Sequence, residues 1–372
     1  MTGPTSGWSA RTLSAQLPAP RAALAAIPAY SSAPASAVPV SIRASSNEAP
    51  DGVSSLVKAA VLARLETANR YPLLGATEVA RAIADHLGAD ESEVAVADGS
   101  LSLLNYLLLA YCTPGSTVVA AWRSYEAYPI CIRTAGAEPV LVPNTPDGGH
   151  DLDAMAAAVN ASTAAVIVCT PNNPTGVALT HTAIIRFLAQ VPPRVLVVLD
   201  EAYLDFDDSA DPPRSRELLA AHANLAVLRT FSKAYGLAGL RMGYVVAHPK
   251  VIGSLRKVLP PFPVSALTAA AAVAAIGDQA YREAIVCAVI DQRAALVRML
   301  DQRGVAHTDS RSNFVWLPLG DASQTLGALC AERGMSTRVF AGEGIRVSLG
   351  EPGLLEAFTD AIDALLGDVT AA

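Results

Sequence analysis

Val195-Leu196-Val197-Val198-Leu199-Asp200-Glu201-Ala202-Tyr203 runs five apolar residues straight into two carboxylates. A run that short, apolar on both faces, suits a strand buried within a sheet rather than one with a solvent face. The same pattern recurs at Val94–Ala97, Val118–Trp122, Ala165–Cys169, Leu225–Arg229 and Tyr244–Ala247. Most of these runs lead into a stretch of helical length or a polar loop. That alternation predicts an α/β fold on a mostly parallel sheet.

Leu259-Pro260-Pro261-Phe262-Pro263 interrupts the series, because prolines at this density fit neither a helix interior nor a central strand. A domain boundary is expected there. Beyond it, Ser265–Arg303 reads as long helical sequence with a break near Gly277. Strand candidates Asn313–Leu319, Ser336–Phe340 and Ile345–Leu349 follow, with helices near Gln324–Glu332 and Leu354–Leu366. This order predicts a smaller α+β domain. Residues 1–45, rich in Ala, Pro and Ser, read as an arm. The expected organisation is an arm at 1–45, a large domain at 46–262 and a small C-terminal domain at 263–372.

Composition narrows the function classes. The 372 residues suit two compact domains. They are 52% hydrophobic and 16% charged, against about 45–50% and about 25% in ordinary soluble proteins, so a disordered chain is excluded as a global description. A net charge of −7 lacks the basic footprint of a nucleic-acid binder. The five cysteines are scattered without a C-x-x-C pair, which favours a reducing compartment, and the six histidines show no metal-ligand spacing. No apolar stretch is long enough to span a bilayer and the N-terminus has no signal-like apolar core. A soluble cytoplasmic protein without a metal site is expected.

In an open parallel sheet, ligands bind beyond the carboxyl ends of the strands. Those ends carry Asp98-Gly99-Ser100 before the helical stretch Leu101–Tyr111, then Ser124-Tyr125, Asn172-Asn173-Pro174-Thr175-Gly176, Asp200-Glu201-Ala202-Tyr203 and Thr230-Phe231-Ser232-Lys233. Each has a local use: Gly99-Ser100 as a helix cap, Asn173–Gly176 as a turn, Lys233 as a surface charge. Asp200 differs, because a carboxylate closing an apolar run needs a cationic partner. The glycines Gly236, Gly239 and Gly243 lack dinucleotide-binding spacing, and no G-x-S-x-G elbow is present.

Together, Asn173-Pro174-Thr175-Gly176, Asp200-Glu201-Ala202-Tyr203 and Arg229-Thr230-Phe231-Ser232-Lys233 through Gly239-Leu240-Arg241 resemble the motifs of fold type I aminotransferases, which use pyridoxal 5'-phosphate. The likeness is to the histidinol-phosphate and aromatic (phenylalanine) branch. It extends from Ser46-Asn47-Glu48 through Asn69-Arg70-Tyr71-Pro72 to Gly344-Ile345-Arg346-Val347. It implies a large cofactor-binding domain with a mostly parallel sheet and a smaller α+β domain. Lys233 would form the Schiff base with the cofactor and, freed by the substrate amine, move the Cα proton. Asp200 would pair with the pyridine nitrogen, Tyr203 and Asn173 with the ring hydroxyl oxygen, and Tyr125 would stack on the ring. Gly99, Ser100, Leu101, Thr230, Ser232 and Arg241 would hold the phosphate. Tyr71 would reach the phosphate of a neighbouring subunit, implying a homodimer. Arg346 would grip the substrate carboxylate, with Asn47, Asn173 and Arg338 also on the substrate side.

Two segments favour an aromatic amino acid as donor and a 2-oxo acid such as 2-oxoglutarate as acceptor. Trp122–Pro129 and Asn313–Gly320 are similar to the actinobacterial aromatic aminotransferases, and Leu101-Ser102-Leu103 replaces the acidic pair common after the serine in histidinol-phosphate enzymes. L-histidinol phosphate is the alternative donor, with Tyr30 and Arg43 as candidates for its phosphate. A decarboxylase on the same scaffold would share the cofactor residues, whereas a cofactor-binding sensor would be expected to carry a fused DNA-binding segment or to lack Lys233. One departure stands out: Asp98 occupies a position where relatives usually have glycine, and its carboxylate would repel a phosphate unless it faces away.

Overall fold

The computed structural model describes residues 38–371 together with Ala19, Arg21 and Ile27. The expected arm therefore lies mostly outside the described residues, as does Tyr30. The described chain opens with strand β1 (Ile42–Arg43) and then builds the sheet strands β2 (Val94–Ala97), β3 (Thr117–Trp122), β4 (Glu138–Pro143), β5 (Thr163–Cys169), β6 (Leu196–Asp200), β7 (Leu225–Thr230) and β8 (Gly243–Ala247). These last seven form one sheet in the order β2-β8-β7-β6-β5-β3-β4. Pairing is parallel from β4 through β7, while β8 runs antiparallel to both β7 and β2.

Both faces of this sheet are buried, which is why its central runs show no polar alternation. Along β5, Ala165, Ile167 and Cys169 pack with Leu104, Leu107 and Tyr128 from the helices Ser100–Tyr111 and Ala127–Thr134. The alternate residues Val166 and Val168 pack on the opposite face with Ile184, Phe187 and Leu188 of the helix His181–Gln190. The period of two thus serves two cores at once. Strand β4 was not among the expected runs. It is an edge strand, mostly half-exposed, that begins Glu138-Pro139 and ends at Pro143, and an edge tolerates proline.

The C-terminal part carries β9 (Phe314–Leu317), β10 (Met335–Ser336), β11 (Arg338–Phe340) and β12 (Gly344–Ser348), flanked by helices Ala322–Glu332 and Leu354–Ala371. Strands β11, β12 and β9 form an antiparallel sheet in that order, and β1 pairs in parallel with β10. The first described strand therefore lies on the C-terminal unit, and the chain then enters the large sheet. The helical stretch after the prolines does break, into Ala266–Gly277 and Gln279–Gln302, with Asp278 capping the second helix through Tyr281 N–H.

These two helices belong to different cores. Ala269, Ala271, Ala272 and Ala275 of the first pack with Val57, Val79 and Val94 beside the large sheet. Ile285, Val289, Leu296 and Leu300 of the second pack with Phe314, Val347 and Phe358 of the C-terminal unit. The prolines expected to mark a boundary at residue 262 interrupt the chain without dividing a core, and the change of core comes at Asp278. Among the described residues, no helix is long and apolar enough to cross a membrane.

Candidate active site

Strands β3, β5, β6 and β7 are parallel, so their carboxyl ends share one edge of the sheet. A cavity of ≈ 470 Å³ lies there, lined on the side of the C-terminal unit by Arg338, Phe340 and Arg346. Its size suits a cofactor with a small substrate.

One end of the cavity is built for an anion. The helix Ser100–Tyr111 starts at Gly99 without a side-chain cap, leaving its first backbone N–H groups and the positive end of its dipole facing the cavity. Arg241, Thr230 and Ser232 line the same end. Gly99 adopts φ +116°, and a Cβ there would stand 2.7 Å from Arg241 Nη2. Gly243, at the start of β8, passes so close that a Cβ would overlap the Ser100 backbone nitrogen. Thr230 Oγ1 donates to Met242 O at 3.3 Å and accepts from Ser232 N–H at 3.1 Å, which fixes both hydroxyl-bearing residues.

The middle holds the ionisable groups. Asp200 Oδ2 accepts the Tyr128 hydroxyl at 2.7 Å and Oδ1 accepts Ala202 N–H at 3.2 Å. Burial pushes the Asp200 carboxyl up, while the Tyr128 and Ala202 hydrogen bonds and the Lys233 charge pull it back. Lys233 Nζ donates to Ser46 O at 3.2 Å and lies 5.5 Å from the centre of the Tyr203 ring. Burial first, and then the Arg346 charge, push the Lys233 ammonium down to about 8. Tyr203 accepts from Asn47 Nδ2 at 3.0 Å, and burial pushes its phenol up to about 12. Asn47 itself has φ +54°, held by Ser348, whose Oγ accepts Asn47 N–H at 2.8 Å and donates to Asn47 Oδ1 at 2.6 Å.

The far end is cationic. Arg346, buried on β12, donates from Nη1 to Asn173 Oδ1 at 2.6 Å and from Nη2 to Ser45 O. Its fork faces the cavity, where a carboxylate could take both prongs. Arg338 donates to Glu126 Oε2 at 2.7 Å, linking β11 to the loop after β3. The set as a whole can bind a phosphate-bearing ring at one end and an amino acid carboxylate at the other, with a poised amine between them.

Of the described residues expected at the site, all but Gly99, Tyr71 and Arg43 line this cavity, and Tyr30 lies outside the described residues. Gly99 supports it from behind. Tyr71 is 83% exposed and stacks on Phe262 at 4.7 Å, outside the cavity of its own chain. Arg43 is also outside, paired with Glu48 at 3.5 Å on the surface. Asp98 lines a neighbouring cavity with Pro72, Arg241 and Phe262 and is absent from the lining of this one, while its main-chain carbonyl accepts from Arg241 Nη2 at 3.5 Å. Sequence reasoning did not single out Tyr128, Glu126, Cys169 or Phe340, all of which line the cavity. Tyr128 alone left a signal, sitting one helical turn after Tyr125.

The aminotransferase class I and II family model matches residues 41–362. The aromatic amino acid aminotransferase of Rhodococcus jostii (strain RHA1) is 44% identical over 92% of this chain and 94% of its own. That of Thermobifida fusca (strain YX) is 44% identical over 86% and 88%. Among solved structures, histidinol-phosphate aminotransferase from Sinorhizobium meliloti in complex with pyridoxal-5'-phosphate superposes with a TM-score of 0.82 at 27% identity, covering 89% of this chain and 92% of that one. The expected resemblance, the parallel sheet and relatives matched over nearly their whole length agree, and the chain is an enzyme of the class I and II aminotransferase family.

Proposed function

We propose that this enzyme is a cytoplasmic, homodimeric aromatic amino acid aminotransferase that uses pyridoxal 5'-phosphate and passes the amino group to a 2-oxo acid such as 2-oxoglutarate. The observation that carries the reading is Lys233. Its half-buried amine lines the cavity with Asp200, Arg346 and the anion-binding residues, and its ammonium is held at about 8, so a usable fraction is the free nucleophile near neutral pH.

The residues present fit the cofactor. Ser100, Leu101, Thr230, Ser232 and Arg241 would hold its phosphate, Asp200 its ring nitrogen, Asn173 and Tyr203 its ring oxygen, and Tyr125 its ring face. When bound, pyridoxal phosphate supplies the conjugated ring that accepts the electron pair left as the substrate Cα–H bond breaks. Lys233 Nζ takes that Cα proton, which requires it to be uncharged at that moment. Arg346, assisted by Asn173 and Asn47, fixes the α-carboxylate so that the Cα–H bond faces Lys233. Arg338, which lines the cavity, would meet the substrate side chain or the acceptor's second carboxylate. Tyr71 would complete the phosphate site of the partner subunit.

The aromatic donor is favoured by the identity to the Rhodococcus and Thermobifida enzymes and by Tyr125 and Phe340, which line the cavity. The histidinol-phosphate alternative has the Sinorhizobium structure in its favour, but its candidate Arg43 lies off the cavity. The test is twofold. Protein mixed with pyridoxal phosphate should absorb in the visible range and lose that band in Lys233→Ala; a band unchanged in the variant would overturn the assignment. Phenylalanine with 2-oxoglutarate should turn over to the keto acid without carbon dioxide release, and a large preference for histidinol phosphate would overturn the substrate.

A further inference from the structure

The hydroxyl of Tyr128 is placed against the Asp200 carboxylate at the cavity wall. We infer that Tyr128 is a positioning residue that keeps Asp200 ionised and aimed at the cofactor ring nitrogen; the inference rests on the pyridoxal phosphate reading above.

The geometry is specific. Tyr128 is 1% exposed, on the helix Ala127–Thr134, and its hydroxyl donates to Asp200 Oδ2 at 2.7 Å. Its ring meets Tyr125 edge-on at 5.6 Å and 82°, so the residue placed on the cofactor face and the residue placed on the carboxylate brace each other. The titratable groups that bear on Asp200 are Tyr128, Lys233, Tyr203 and Cys169, the last paired with Asp200 in register on β5. Of these, Tyr128 is the one that donates a side-chain hydrogen bond to the carboxylate.

The chemistry follows from burial. A desolvated Asp200 tends to hold its proton, and a protonated carboxyl could not serve as counter-ion to a protonated ring nitrogen. A donor that bonds the anion opposes this. The phenol is suited to the task because burial, reinforced by Asp200, pushes its own ionisation well above the ordinary range, so it stays a donor at every working pH. The main-chain N–H of Ala202 holds the other oxygen, leaving the carboxylate one orientation.

The experiment measures the pyridoxal phosphate dissociation constant and its acid limb in the wild type, Tyr128→Phe, Asp200→Asn and the double variant. Loss of one hydrogen bond to a charged group should weaken binding about tenfold or more. The acid limb should move up by about one pH unit, because Asp200 then takes its proton earlier. On the Asp200→Asn background the same Tyr128→Phe change should do little. Substituting 3-fluorotyrosine at 128, a stronger donor of nearly the same shape, should move the acid limb the other way. That variant decides the matter if Tyr128→Phe does not fold. An unmoved acid limb, or an equal loss on both backgrounds, would overturn the inference and leave the function reading intact. A wild type that binds no pyridoxal phosphate would overturn both.

Discussion

Arg123 and Glu343 form a two-pronged ion pair that ties the segment after β3 to the turn between β11 and β12. Glu126 and Arg338 repeat the link at 2.7 Å from the same two elements. The large sheet and the C-terminal unit are thus linked by two ion pairs of opposite polarity, the second of which lines the cavity. Glu343 is 41% exposed, so its pair should add little to folding, and its expected role is to hold the two units together beside the cavity.

Glu343→Gln should therefore raise KM for both substrates several-fold while changing unfolding stability by less than about 1 kcal/mol. Added salt should raise KM in the wild type and have a smaller effect in the variant, since screening acts on the same contact. Steady-state kinetics at two ionic strengths, with urea unfolding alongside, make the check. A KM that follows salt equally in both proteins would refute the latch.

The lowered Lys233 ammonium has a consequence for the cofactor-free protein. Unfolding restores its ordinary value of 10.5 from about 8, so between those two pH values the unfolded chain binds more protons than the folded one. Stability then rises with pH through this window, by up to about 3 kcal/mol for this group. Below about 8 the penalty is fully present. Lys233→Met removes it, so the variant should be the more stable protein at neutral pH, with the gap closing as pH climbs toward 10.5. Urea unfolding at a series of pH values tests the sign.

Part of this site could be read from residues alone because its chemistry sits where sheets concentrate it. Asp200 announced itself by closing an apolar run, whereas Lys233, locally a surface charge, was singled out only by the resemblance. What could not be read was set by tertiary contact. The spacing of Tyr128 from Tyr125 hints at a shared face, but its partner Asp200 is set by how its short helix packs on the sheet. Strand β4 carries two prolines and a glutamate because it lies at an edge, and a local reading takes those residues as loop. The change of core at Asp278 was hidden by the prolines nearby, which mark a turn in the chain and not a division in its packing.

Behind Asp200, Glu201 is fully buried and accepts Arg229 Nε at 2.8 Å and the Ser215 hydroxyl at 2.7 Å. Glu201→Gln keeps the shape and strands the guanidinium. The expected cost is about 3–5 kcal/mol, because an uncompensated buried charge outweighs the lost attraction. A melting temperature within a degree or two of the wild type would show that Arg229 finds another partner.

Gly243 should be intolerant for a reason unrelated to its own conformation. A Cβ there would run into the backbone of Gly99 and Ser100, where the helix begins. Gly243→Ala must push that helix start away from the anion-binding end. Pyridoxal phosphate affinity should fall by about tenfold or more, the scale of one lost charge-assisted hydrogen bond, while Gly253→Ala, which meets open space, should leave it unchanged. Equal affinities in the two variants would remove the helix start from the phosphate site.

Tyr71 gives the sharpest test of the proposed dimer. Near it in sequence Leu56, Leu62, Leu65, Leu73 and Leu74 are likewise exposed, apolar area that a lone chain would leave in water. Leu62 is 65% exposed, so Leu62→Asp should leave the fold of one chain within about 0.5 kcal/mol of the wild type. If a second copy covers this face, the same change should convert a dimer to a monomer in sedimentation and weaken pyridoxal phosphate binding, because each cavity loses the other chain's tyrosine. Tyr71→Phe should keep the dimer and still weaken cofactor binding, by about tenfold for one lost hydrogen bond to a charged group. A monomeric wild type, or a Tyr71→Phe dimer with unchanged affinity, would place this residue outside the site.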